Sequence, residues 1–207
     1  TGAVNGASLV PFDTGVFLTP YTTARQVYLI SPKADYAITP DPGQLQLSLT
    51  ELQRVNANRL NISSRYSSTT LPAVEVRTSM DLYGLYDTTT VSGIFPKNAG
   101  VNQIELMATR GDAGGGARGD VTVSAPINSS KNNLPMGIFL SASRNDDFFS
   151  AVPAVLANNQ TSGGAVNVNA GLTSFGGQVG LQGQNVNIRS AINANNPNAS
   201  VAQNGLV

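Results

Sequence analysis

The chain contains no cysteine, no histidine and no tryptophan, and only 12% of its 207 residues are charged. Each absence excludes something. Without thiols there are no disulfides and no thiolate metal sites. Without imidazole the commonest general base and metal ligand is missing. The Ser-His, Cys-His and zinc constellations are therefore ruled out whatever the fold. The formal net charge is zero, which disfavours a nucleic-acid binder, because neutralising phosphates takes a basic stripe. No apolar run approaches the roughly 20 residues a spanning helix needs, and no secretory leader pattern is visible at Thr1-Gly2-Ala3.

A typical soluble domain carries roughly 25% charged residues. Here Asn, Gln, Ser and Thr take their place. Neutral polar groups cost less to bury against a neighbour than charges do, provided each finds a hydrogen bond. The charges present are nine Arg to three Lys and nine Asp to three Glu. Arg suits interfaces and Asp suits turns. This composition points to a turn-rich β protein that makes contacts.

Short apolar runs recur along the chain. Val16-Phe17-Leu18 and Val27-Tyr28-Leu29-Ile30 stand between prolines, and Gln44 to Leu49 alternates strictly. Thr50 with Gln53 matches a capping box, so a short helix competes there with strand. Leu60-Asn61-Ile62, Val74-Glu75-Val76, Met80 to Tyr86, Ile104-Glu105-Leu106, Val121-Thr122-Val123 and Ile138-Phe139-Leu140 read as strands separated by turn residues. A second helix candidate starts at Asp146 and meets Pro153. From about Gln160 the chain turns rich in Asn and Gly, with alternation at 165–169 and 184–188. Strands out to Ile192 with an extended arm beyond are expected. No clean repeat of fixed period is visible, which argues against a regular solenoid.

The fold expected is all-β, mainly strands with one or two short helices. It is a jelly-roll-like sandwich or barrel with extended termini. Residues 1–160 would form the core with an N-terminal arm. Residues 161–207 would add C-terminal strands and an arm, in the same domain or as an extension.

The glycine-rich stretch 110–120 holds Arg-Gly-Asp twice, Arg110-Gly111-Asp112 and Arg118-Gly119-Asp120. It lacks the Lys and Ser/Thr of a phosphate-binding loop. It also lacks the repeated glycines of a calcium-binding β-roll. The tripeptide resembles the integrin-recognition motif of cell-adhesion ligands. The plainer reading is a hairpin tip joining strand 102–109 to strand 120–127. These six residues are the candidate interaction loop. Asn145-Asp146-Asp147 offers too few oxygens for calcium and suits a helix cap. Glu51, Glu75 and Glu105 are scattered, each expected on a solvent face, and Ser130-Lys131 is incidental on a strand. Asn61, Asn128, Asn159 and Asn198 begin glycosylation-type triplets. The six tyrosines are expected at core edges and interfaces.

No catalytic, cofactor-binding or metal residues are expected. The function that follows is a non-catalytic structural subunit of a virus particle, a capsid or capsid-decorating protein that self-associates. The alternative is an extracellular adhesin, pilin-like subunit or lectin. The expected partners are copies of itself and other particle proteins, without nucleic acid or a membrane span. The expected location is the virion, or alternatively the cell surface.

Overall fold

A computed structural model describes residues 15–18, 20, 25–30, 44–52, 59–66, 70–81, 103–108, 119–128, 137–142 and 164–195. Fifteen strands and one helix are described within them. The strands are β1 (Gly15–Leu18), β2 (Gln26–Ile30), β3 (Gln44–Ser48), β4 (Arg59–Ser64), β5 (Val74–Val76), β6 (Met80–Asp81), β7 (Gln103–Ala108) and β8 (Val121–Val123). They continue with β9 (Ile127–Asn128), β10 (Gly137–Ser141), β11 (Ala165–Val168), β12 (Leu172–Thr173), β13 (Val179–Gln182), β14 (Asn185–Ile188) and β15 (Ile192–Asn193). The helix α1 spans Leu49–Leu52.

Every strand pairing described is parallel. Sheet A has the order β1-β4-β7-β10-β13, sheet B the order β14-β11-β8-β5-β2-β3, and sheet C the order β15-β12-β9-β6. From β4 onward the chain visits the three sheets in a fixed cycle and advances one strand per turn. This is a stack of coils, a parallel β-solenoid. Parallel neighbours need a long crossover, most often a helix. Here strands of the other two sheets make the crossover.

The structure therefore corrects the expected jelly-roll-like sandwich or barrel, which is built from antiparallel strands. It also corrects the expectation against a solenoid. Strand β7 does not form a hairpin with β8; the two lie in different sheets. The physical reason is that alternation reports which face a residue occupies and carries no information on strand direction.

The core lies inside the coils and is built in columns. In sheet B, Val27, Val74, Val121 and Val166 are register partners, as are Leu29, Val76, Val123 and Val168. In sheet A the columns are Leu60, Ile104, Ile138 and Val179, then Ile62, Leu106, Leu140 and Leu181. Sheet C contributes Met80, Ile127, Leu172 and Ile192. Most of these are fully buried. Each such side chain stabilises the fold by about 1.5–3 kcal/mol through removal from water.

The corner between sheets B and C always has three residues: 77–79, 124–126, 169–171 and 189–191. The other two corners vary. Sheet A to sheet B takes two residues after β13, Gly183 and Gln184, but residues 143–163 fall within the same connection after β10. In the corner from β12 to β13, Phe175 (φ 54°) and Gly176 (φ 94°) sit in the left-handed region. That corner is closed by Gly177 N donating to Ser174 O at 3.1 Å and Ser174 Oγ donating to Gly177 O at 2.7 Å.

The short helix starts two residues earlier than the capping pattern predicts. Ser48 and Glu51 form the box. Glu51 N donates to Ser48 Oγ at 3.2 Å, and Ser48 N donates to Glu51 Oε2 at 2.8 Å. Leu52 then enters the core at 1% exposure. The helix candidate at Asp146 and the strand beyond Asp81 lie outside the described residues.

Candidate association surface

Three polar arrangements stand out, and they differ in what they can do. The first is on the outward side of sheet A. Glu105 is fully buried, correcting the expectation of a solvent-facing carboxylate. Its Oε1 accepts from Arg59 Nε at 2.8 Å and Gln103 Nε2 at 2.6 Å. Its Oε2 accepts from Arg59 Nη2 at 2.9 Å and Asn61 Nδ2 at 2.7 Å. Four donors match the four lone-pair sites of a carboxylate. Such a saturated group has no capacity left for a substrate. Asn61, Ser63, Met107, Phe139 and Ser141 on the same side are buried too. That side of sheet A is therefore not solvent surface, and Asn61 is no glycan acceptor in this fold.

The second arrangement crosses the outward side of sheet B. Register aligns Gln46, Tyr28, Glu75, Thr122, Asn167 and Asn187 in one row. Asn187 Nδ2 donates to Asn167 Oδ1 at 2.9 Å, and Asn167 Nδ2 donates to Asp120 Oδ2 at 3.2 Å. Glu75 accepts from Ser124 Oγ at 2.7 Å and pairs with Arg77 at 2.9 Å. The Arg77 guanidinium lies 3.6 Å from the centre of the Tyr28 ring. Burial pushes the Tyr28 hydroxyl above its usual value of 10.0, against the opposing pull of Arg77. Toward the corner Arg77, Ser124, Asn169 and Arg189 are exposed. At its β2 end, around Gln26 and Tyr28, this side is buried; from Glu75 to Asn187 it is polar, weakly charged and partly or fully exposed.

The third arrangement is the candidate loop. Arg110, Gly111, Asp112 and Arg118 lie outside the described residues. Gly119 and Asp120 are anchored. A Cβ on Gly119 would stand 2.5 Å from Tyr66 O and 2.6 Å from the Ala73 Cβ. Asp120 Oδ1 accepts from Ala165 N at 2.8 Å, and Asp120 O accepts from Ala73 N at 2.8 Å. Asp120 thus ties three coils together, its backbone carbonyl to one neighbour and its carboxylate to the other, and the carboxylate is not presented outward as a free ligand group. Sequence reading missed this role, because the carboxylate's partners lie 45 and 47 residues away and leave no local signal.

Among the described residues no group of three or more acidic, His or Cys side chains could hold a metal. Among them, too, no helix is long and apolar enough to cross a membrane. Of the tyrosines, Tyr28 is buried and Tyr66 packs against the core; the other four lie outside the described residues. Asn145-Asp146-Asp147 and Ser130-Lys131 lie outside them as well. Comparison with family models, with curated proteins and with solved structures gives no match.

Proposed function

We propose that this protein is a non-catalytic structural module that works by association, a rigid solenoid segment of a virus particle or of a cell-surface adhesin. The observation that carries the reading is the row across sheet B. From β5 to β14 the coils stacked in register present a polar, weakly charged and partly exposed face, and such a face can meet protein or glycan without stripping charges of water. The capsid-shell version drew its motive from a jelly-roll core and loses it. The adhesive version gains, because a stacked-coil protein offers long lateral surfaces. The Arg-Gly-Asp motive rests on the first copy alone, since Asp120 is engaged within the fold.

The test is binding of labelled protein to the particles or cells it comes from, and to a glycan array. The same protein carrying Ser124→Lys and Asn169→Lys, both exposed at the corner that borders sheet B, is the comparison. Saturable binding that weakens about tenfold in the variant supports the reading. Binding unaffected by the variant removes sheet B from it. Hydrolytic turnover of a polysaccharide overturns it.

A further inference from the structure

The two ends of the solenoid are finished differently. At the N-terminal end of sheet B, β3 is the edge strand, and its Leu45 and Leu47 are partly buried against the core. Helix α1 follows at once and buries Leu52. At the other end β14 is the edge, and all four of its residues are exposed. Val186 is 40% and Ile188 53% exposed, although register places them in the inward columns above Val166 and Val168. The core columns thus emerge at this end beside a row of backbone groups with no strand partner among the described residues. Exposed edges are ordinarily blunted by charge, proline or a covering element. Strands β13, β14 and β15 carry no charged residue and no proline; Arg189 in the corner is the one charge within 179–193.

We infer that this end docks a second copy of the chain through a twofold axis, with β14 antiparallel to the partner's β14. A twofold contact brings each residue against the same surface of its copy, so an edge without like charges is needed, and β14 meets that need. The register centred on Asn187 is self-complementary. Val186 faces the partner's Ile188, and Ile188 faces the partner's Val186, prolonging both inward columns. Asn187 meets the partner's Asn187 and extends the amide ladder. Arg189 falls opposite the partner's Asn185. The inference rests on the association reading and names one of its surfaces.

The protein has no cysteine, so single substitutions report directly. Asn187→Cys, at the axis, is expected to form a disulfide-linked dimer on mild oxidation. Asn185→Cys and Arg189→Cys, displaced from the axis by two residues, lie beyond the ~7 Å Cα separation a disulfide spans and stay as thiols. Light scattering should find a dimer, and Val186→Lys with Ile188→Lys should weaken it roughly a hundredfold with the circular dichroism spectrum unchanged. A monomer at high concentration, equal cross-linking at all three positions, or open-ended polymers each overturn the twofold docking. So does dimerisation that appears only when 196–207 are removed, since the chain would then cover its own end. Surface binding retained by a monomer leaves the association reading intact while this inference fails.

Discussion

Replacing Arg59 with methionine isolates the buried ion pair of sheet A. The side chains keep similar length, but the guanidinium and its two bonds to Glu105 vanish. Glu105 is fully buried and the Arg59 side chain is only 12% exposed, so water cannot readily replace the lost cation. Asn61 and Gln103 remain as neutral donors to one carboxylate oxygen each. Removing one partner of a buried pair costs about 3–5 kcal/mol, because a charge is left without compensation. Two charge-assisted bonds at about 1.5–3 kcal/mol each give about 3–6 kcal/mol, an overlapping range. Urea denaturation followed by far-UV circular dichroism would read the loss. Hydrogen exchange should place it in β4 and β7, since stacked coils share energy mainly with neighbours. The double variant Arg59→Met, Glu105→Leu removes both charges and should recover most of the stability. A single variant within about 1 kcal/mol of the parent, or a double variant as weak as the single one, would refute the account of Glu105 as a charge held by its partners.

Gly119→Ala should destabilise by about 1–3 kcal/mol through overpacking, because backbone and a core Cβ stand within 2.6 Å of the new atom. Gly171→Ala, whose nearest neighbour is 3.8 Å away, should lie within about 0.5 kcal/mol of the parent in the same melts. Leu106→Ala should cost about 2–5 kcal/mol, while Ile188→Ala, half exposed in the last coil, should cost under about 1 kcal/mol. Tyr28 gives a pH test. Its folded pKa lies above the unfolded value, so the native state holds the proton more tightly. That contribution is complete below about pH 10 and is lost as pH rises through the folded value. Tyr28→Phe should lessen the alkaline loss of stability measured by urea titration above pH 10, and an unchanged slope would count against it.

The short strands were legible because alternation is local. Leu60, Ile62, Val74, Val76, Ile104, Leu106, Val121, Val123, Ile138 and Leu140 all face inward, as their spacing implies. Strand direction was not legible, and neither was the cycle through three sheets. Yet a trace of the cycle is written in the chain. Val74 to Met80, Val121 to Ile127, Val166 to Leu172 and Val186 to Ile192 each read as two aliphatic positions two apart and a third four further on. The motif marks a strand of sheet B, the three-residue corner and the first position of sheet C. Its copies begin 47, 45 and 20 residues apart (74 to 121, 121 to 166, 166 to 186), so a search for one fixed period passes over it. The role of Glu105 was hidden for a different reason. A carboxylate between two aliphatic residues looks like an outward side chain, and it is one, but on a side of sheet A that is buried. The register joining it to Arg59, 46 residues away, has no local signature.

The hydrogen bonds between coils run along the stack, because every described ladder except β2–β3 joins a strand to the strand of the next turn. Tension applied along that direction would load the rungs one coil after another, like pages pulled from a spine, and would extend the molecule in steps. Force applied across the coils would meet all of them at once. A protein built in this way is compliant lengthwise and stiff sideways, and the orientation in which it is held decides which behaviour its surroundings feel.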